Sequence, residues 1–124
     1  MKKSILYFTL VFCAFVLIHS CKKDSSSVQK SNTINVTIKA NENYSYGLGG
    51  FGYEEGAIID EQAIHYDSSF IKRDLNTGQE TYTYKPSAGY LGNDEVKLKS
   101  ERGSDGASPN NKIIYTTIEF TITN

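Results

Sequence analysis

The sequence predicts an all-β fold, a single antiparallel β-sandwich, and two patterns carry this prediction. Apolar and polar residues alternate with a period of two through most of residues 33–124, as they do in half-buried strands, and no stretch shows a convincing helical period. Clusters of Gly, Pro, Asn and Asp interrupt the alternation at short intervals. Short strands separated by frequent turns are typical of a sandwich or barrel of antiparallel strands.

The first predicted strands lie between residues 33 and 66. Ile34, Val36 and Ile38 share one face of the first strand, with polar residues between them. Residues 41–46 continue with polar and aromatic residues and predict a second, short strand. Residues 57–66 leave helix and strand open, but their β-branched residues and tyrosine favour extended structure.

The later strands follow from a hairpin pattern and a strongly alternating C-terminus. Residues 70–73 and 79–85 flank a Gly-containing loop at residues 74–78, and Pro86 ends the second arm because proline cannot donate to a ladder. A further strand has one face formed by Val96, Leu98 and Ser100. The inner face of the last strand is formed by Ile114, Thr116, Ile118, Phe120 and Ile122.

The N-terminus has the form of a secretory signal. Met1–Lys3 is basic, and the apolar run Ile5–Ile18 that follows is shorter than the roughly 20 residues a membrane-spanning helix needs. With Cys21 at its end, the segment resembles a bacterial lipoprotein signal, whose cysteine is diacylated and becomes the first mature residue. Residues 1–20 are then the signal and Cys21 the lipidation site. The alternative is an ordinary secreted protein whose signal contains Cys21.

The residues after Cys21 are polar, free of aromatics and low in complexity, so residues 21–32 are predicted to be a flexible tether and residues 33–124 the folded domain. In the sorting logic of Gram-negative lipoproteins, an aspartate directly after the cysteine retains the protein in the inner membrane. Lys22 occupies that position here. The resemblance therefore implies anchoring to the outer membrane of the cell envelope, facing the periplasm or the surface.

Charge and cysteine content exclude several classes of function. Loss of Lys2 and Lys3 with the signal leaves 11 of the 13 Lys and Arg residues against 14 Asp and Glu, a net charge of −3. A nucleic-acid-binding protein needs clustered basic residues, so no nucleic-acid partner is expected. Cys13 lies in the signal and Cys21 would carry lipid. The folded domain therefore has no thiol for a disulfide or a metal.

A motif in the C-terminal half resembles bacterial immunoglobulin-like and cadherin-like repeats. In these families a strand ending in Tyr-x-Pro precedes a Gly-aromatic-x-Gly-x-Asp turn, as in Thr81–Asp94 here. A Ser-Asp-Gly loop at residues 104–106 and a Thr- and Ile-rich closing strand at residues 113–123 continue the match over about the last 55 residues. The resemblance implies an immunoglobulin-like sandwich. The strand at residues 95–99 is less aromatic than the family's, and the family's calcium ligands are not evident, so calcium is not implied.

A glycine-rich segment flanked by aromatics is the candidate binding loop. Residues 47–52 have the G-x-G-x-x-G spacing of dinucleotide sites, but no crossover helix follows, so no nucleotide cofactor is expected. Tyrosines beside glycines combine rigid contact area with an adaptable backbone, a composition that binding loops favour. The candidate contact residues are Tyr44, Tyr46, Phe51 and Tyr53. Packing against the sheet is the alternative role for the same side chains.

Neither catalysis nor a metal site is predicted. Asp60, Glu61, His65 and Asp67 form the one local cluster with metal-ligand character, but His65 is the sole nitrogen ligand of the mature chain. Ser68 and Ser69 follow His65 without a nucleophile elbow. Neighbouring carboxylates such as Glu54-Glu55 point to opposite faces of a strand, whereas glycoside hydrolysis needs them opposed across a cleft.

These observations predict a non-catalytic binding or structural module for a protein partner or envelope component. A long polar loop at residues 101–111 is a second candidate contact segment, or simply a mobile hairpin end. Two alternatives stay open. One is a carbohydrate-binding module that stacks sugars on exposed tyrosines; the other is an accessory subunit that adds an edge strand to an outer-membrane complex.

Overall fold

The computed structural model describes residues 27–124, and those residues form seven β-strands without a helix. No helix in this part of the chain is therefore long and apolar enough to cross a membrane. The predicted signal at residues 1–20 and the first half of the predicted tether, residues 21–26, lie outside the described residues. The strands are β1 (Val28–Lys39), β2 (Tyr44–Gly50), β3 (Gly56–Glu61), β4 (Tyr66–Arg73), β5 (Gln79–Pro86), β6 (Gly92–Arg102) and β7 (Lys112–Thr123).

The strands form two sheets, with orders β1-β7-β6-β3 and β2-β5-β4. The predicted all-β sandwich is confirmed. The order β2-β5-β4 is that of strands B, E and D in the immunoglobulin arrangement, and β7-β6-β3 is that of strands G, F and C. One pair departs from the predicted antiparallel pattern: β1 runs parallel to β7 along the edge of the larger sheet.

β1 begins at Val28, so residues 28–32, which the sequence assigns to the tether, belong to the domain. The cause is backbone pairing rather than burial. Val28–Lys39 pairs residue by residue with Lys112–Thr123, and the Val28 N–H donates to the Asn111 carbonyl at 2.8 Å. Composition predicts disorder for residues 28–32 because they have few apolar side chains to bury. It gives no information about the edge of β7, with which their backbone pairs.

The ambiguous stretch at residues 57–66 is extended, as favoured. Its first part lies in β3, a connection at residues 62–65 crosses to the other sheet, and β4 begins at Tyr66. The predicted hairpin is also present, with β4 and β5 paired around residues 74–78. Gly78 has φ +69°, and a Cβ there would lie 2.6 Å from the Phe51 carbonyl oxygen, so this turn requires glycine.

The core lies between the sheets and is centred on two tyrosines of β5. Tyr82 and Tyr84 are fully buried, and the Tyr84 ring stacks on Phe120 with centroids 4.1 Å apart. The remaining buried hydrophobic core residues are Ile38, Ala63, Val96, Leu98, Ile118 and Ile122. Burial raises the pKa of Tyr82 to about 12. The pKa of Tyr84 is raised by burial and by its hydrogen bond to Asp94.

Candidate functional site

Three loops gather at one end of the sandwich, and we call this region the loop end: residues 51–55, 74–78 and 103–111. The first and second loops meet where the Phe51 N–H donates to the Gly78 carbonyl at 3.0 Å. The first and third meet where the Ser104 hydroxyl donates to the Glu54 carboxylate at 2.9 Å. In the immunoglobulin arrangement these are the B–C, D–E and F–G connections, which alternate strand directions place at one end.

Arg102, the last residue of β6, holds the start of the first loop. Its guanidinium donates to the Leu48 carbonyl at 2.7 Å and also to the Gly50 carbonyl. The same group lies 3.9 Å above the centroid of the Phe51 ring. These contacts hold Phe51 in a buried position, 7% exposed, and join the glycine-rich end of β2 to the other sheet.

Arg73, the last residue of β4, holds the rest of the first loop. One nitrogen donates to the Phe51 and Gly52 carbonyls at 3.0 and 2.7 Å, and the other donates to the Glu55 carbonyl at 3.0 Å. Buried Glu80 pairs with Arg73 at 3.3 Å and accepts the Ala57 N–H at 2.8 Å. All the carbonyls that accept hydrogen bonds from Arg73 therefore lie in the first loop. Arg73 thus links this loop to the sheet formed by β2, β5 and β4.

The Glu55 carboxylate joins the first and third loops. It accepts the Gly52 N–H at 3.0 Å and the Gly103 N–H at 2.6 Å. These two backbone bonds, with Gly52 the larger cause, hold the pKa of Glu55 below its ordinary value. The link therefore keeps its full strength above the ordinary glutamate pKa and weakens as the pH falls through the lowered one.

Two apolar side chains project from this fixed frame. Tyr53 is fully exposed and Leu75, at the tip of the second loop, is 90% exposed. A depression of about 430 Å³ lies between them, floored by Phe51 and Gly78. A second depression, of about 360 Å³, lies on the other side of Tyr53 beside Ser104 and is more open to solvent.

The structure separates the four aromatics of the candidate binding loop. Tyr44 and Tyr46 are half-buried in β2, and Tyr44 meets Phe120 edge-on at 5.4 Å. Phe51 is buried beneath Arg102. Packing is therefore the role of three of them, and Tyr53 alone is free to contact a partner. Leu75 was missed; its signal in the sequence is an isolated apolar residue inside a polar turn.

The cluster predicted from Asp60, Glu61, His65 and Asp67 does not form a common site in the structure. Glu61 pairs with Lys97 at 2.7 Å and Asp67 with Lys85 at 2.9 Å, both at the surface. The His65 ring stacks on Tyr90 with centroids 3.9 Å apart, at the end of the sandwich opposite the loop end. Residues 27–124 contain no group of three or more His, Asp or Glu side chains placed to hold a metal ion.

The two serines next to this cluster form no catalytic arrangement with His65. The Ser69 hydroxyl bonds to Gln62 at 2.6 Å and to the Tyr82 hydroxyl at 2.7 Å, which places it in the packing of β4 against β5. Glu54 and Glu55 are neighbours in the first loop, both bond within the loop end, and both line the depression beside Ser104 instead of standing opposed across a cleft. The arrangement of these groups supports structural roles.

Asp94 and Asp105 are both engaged by protein donors. Asp94 is 7% exposed, and its carboxylate accepts the N–H groups of Ile64 and His65 at 2.9 Å each and the Tyr84 hydroxyl at 2.8 Å. Asp105 accepts two N–H groups within its own turn, which lower its pKa. Both carboxylates therefore hold nearby backbone segments in place through these hydrogen bonds.

Comparison with known proteins gives structural resemblances alone. No protein-family model matches the sequence. No curated protein matches it either. Among solved structures, amebosin is 16% identical, with a TM-score of 0.48 over 76% of this chain and 98% of its own. The cysteine protease inhibitor EhICP2 from Entamoeba histolytica is 14% identical, with a TM-score of 0.43 over 77% and 97%.

A third similar structure is PbICP-C, solved in complex with falcipain-2. It is 16% identical, with a TM-score of 0.44 over 81% of this chain and 93% of its own. The low identities and TM-scores keep these likenesses from bearing on what this chain binds.

Proposed function

We propose that this protein is a non-catalytic binding module of the cell envelope, lipid-anchored through Cys21, whose loop end binds a protein partner. The observation that carries the binding proposal is the contrast at the loop end. Tyr53 and Leu75 are almost wholly exposed, while the backbone beneath them is fixed by Arg73, Arg102 and Glu55. The immunoglobulin-like repeat relationship suggested by Thr81–Asp94 belongs to the same proposal.

A fixed frame favours binding because little conformational entropy is lost when the partner arrives. Tyrosine is well suited to such a contact because its large ring has only two side-chain torsions to immobilise. The depression between Tyr53 and Leu75 accommodates an apolar side chain of the partner, and Phe51 at its floor is already buried and ordered.

Charge at the loop end indicates what surrounds that apolar contact. The acidic residues of the three loops are Glu54, Glu55, Asp74 and Asp105. The three loops contain no Lys or Arg. Of the cations that flank them, Arg73 and Arg102 bond to backbone carbonyls of the first loop and the end of β2, while Lys72 lies near Asp74 and Lys112 follows the third loop. The loops themselves therefore place acidic side chains around an apolar centre. A complementary partner surface has a projecting apolar residue bordered by Lys or Arg.

The distribution of exposed aromatics favours a protein partner over a carbohydrate. Sugar stacking needs two or three aromatic rings on one face. In the described part of the chain the strongly exposed aromatics are Tyr53, Tyr66 and Phe70. Tyr53 lies at the loop end. Tyr66 pairs with buried Pro86 and Phe70 with Thr83, three residues away along β5, so these two point to opposite faces of their sheet.

We expect the double substitution Tyr53→Ala/Leu75→Ala to abolish capture of the partner from detergent-solubilised envelope. It removes the two exposed side chains without touching the bonds beneath them. The matched control is Ile58→Ala/Ile64→Ala, which removes comparable exposed apolar area away from the loop end. Capture is compared by quantitative mass spectrometry. Equal loss of partner capture with both double variants would refute the assignment of the site. Retention of capture by Tyr53→Ala/Leu75→Ala would refute it as well.

The anchor has its own test. We expect Cys21→Ala to abolish incorporation of labelled palmitate. Cys13→Ala is the control, because the same residue type then changes inside the predicted signal without removing the acylation site. Incorporation that survives Cys21→Ala, or no incorporation into the native chain, would contradict lipid anchoring at Cys21 and support the ordinary secreted alternative.

A further inference from the structure

The edges of the two sheets are not alike. The edge strands of residues 27–124 are β1 and β3 in the larger sheet and β2 and β4 in the smaller one. Three of the four have an extra residue that breaks their register: Leu48 in β2, Asp60 in β3 and Asp67 in β4. A bulge in an edge strand bends it and disrupts the ladder that another chain would need for pairing.

β1 has no such protection. All twelve residues of Val28–Lys39 keep a continuous register with β7, and the strand contains no proline. The N–H groups of Val28 and Ala40 donate towards β7, to Asn111 and Thr123. Backbone direction alternates along a strand, so the even-numbered residues face β7. The odd-numbered ones, among them Asn35 and Thr37, face the open edge.

Side chains along this edge are also incompletely covered. Ile34 and Val36 point towards the sandwich interior but remain half-exposed, whereas Ile38 is buried. They lie where the two sheets part beside β2. The opposite face of β1 presents Thr33, Asn35 and Thr37, all exposed and polar. A strand added here would complete the larger sheet and cover the half-exposed residues.

We propose that a second copy of this chain occupies that edge, its β1 pairing antiparallel with the first, with Val36 on the two-fold axis. In this register Ile34 lies opposite Ile38 of the second copy, and Val36 lies opposite its own counterpart. On the other face Asn35 pairs with Thr37. Every inward pair is apolar and every outward pair is polar, and a two-fold contact requires such self-complementarity.

Backbone geometry and charge agree with the same register. Asn35 and Thr37 face the open edge, so they fall in hydrogen-bonded pairs across the axis, whereas Val36 falls in the closer, non-hydrogen-bonded position. The two charges of β1 are Lys30 and Lys39. Lys39 ends the paired segment opposite Thr33, because its N–H and carbonyl are bonded to Glu42 at 3.0 Å each, and Lys30 lies beyond that segment. Neither lysine therefore meets its counterpart. A slip of one residue would set apolar side chains against polar ones.

Cysteine crosslinking in the full chain tests this arrangement. In a non-hydrogen-bonded antiparallel pair the Cα atoms lie about 4.5 Å apart, within disulfide range. Val36→Cys is therefore expected to give a disulfide-linked dimer under mild oxidation, at least about tenfold more than Val28→Cys. Val28 lies on the same strand and is 67% exposed, but has no counterpart in the register. Random collision would favour Val28→Cys, so the order of yields is decisive.

A second variant separates pairing from chance reactivity. The Thr37 N–H faces the open edge, so Thr37→Pro removes a donor from the proposed contact without removing one from the β1–β7 ladder. Light scattering in detergent is expected to report a dimer for the native chain and a monomer for a Thr37→Pro variant of unchanged circular dichroism. A native monomer, equal crosslinking of the two cysteine variants, or crosslinking of Val36→Cys to a different protein would each overturn the proposal.

Discussion

Asp94→Ala is expected to lower the free energy of unfolding by about 3–5 kcal/mol, the largest effect of any single substitution outside the apolar core. The buried carboxylate fixes the connection between β3 and β4 by accepting the N–H groups of Ile64 and His65. It also accepts the hydroxyl of fully buried Tyr84. Alanine removes the side-chain acceptor of both N–H groups and leaves the Tyr84 hydroxyl with the His65 carbonyl alone, at 3.1 Å. Urea denaturation followed by far-ultraviolet circular dichroism measures the loss.

Asp105→Ala is the matched control for this substitution. Asp105 also accepts two backbone N–H groups, at 3.0 and 2.7 Å, but in an exposed turn where water can replace it. Its loss is therefore expected to destabilise the fold far less than the loss of Asp94. If the two alanine variants unfold at the same urea concentration, the structural role assigned to Asp94 is wrong.

Arg102→Met is expected to combine a stability loss of about 2–3 kcal/mol with loss of partner binding. Methionine keeps much of the apolar length of arginine but cannot donate to the carbonyls of Leu48 and Gly50. The Phe51 ring also loses its guanidinium contact. The start of the first loop then loses its tie to β6, although Arg73 and Glu55 still hold the rest of it, and we expect Tyr53 to lose its fixed position. We expect partner capture to fall by at least about tenfold.

Lys97→Met provides the comparison for Arg102→Met. Lys97 lies in the same strand and pairs with Glu61 and Glu95 on the exposed face of the sheet. Such a solvent-exposed pair contributes little to stability, and partner capture is expected to be unchanged. Equal capture by the Arg102 and Lys97 variants would show that order in the first loop does not matter for binding.

Local pattern was sufficient for most of the fold. Alternation predicts β7 and the hairpin of β4 and β5 because side-chain period and turn chemistry are properties of neighbouring residues. The start of β1 does not follow from the residues next to it in sequence. Residues 28–32 are extended because β7 lies beside them, a partner more than 80 residues away along the chain. The parallel direction of that pair is likewise invisible to local pattern.

The candidate site was predicted only in part for the same reason. The aromatic cluster around residues 44–53 was identified, but sequence does not show which rings face the core, and one of four is exposed. Asp94 accepts the N–H group of its neighbour Glu95, a bond between residues adjacent in sequence. Its bonds to Ile64 and His65, and those of Arg102 to β2, join residues far apart in sequence.

Site-specific photocrosslinking from position 53 tests the central claim most directly. A photoreactive phenylalanine analogue is placed at Tyr53 or, as the control, at Ile64, which is 80% exposed at the opposite end of the sandwich. Illumination in intact cells is expected to join position 53, and not position 64, to one defined protein. Crosslinking from position 64 to the same protein with equal yield, or no adduct from position 53, would contradict a binding site at the loop end.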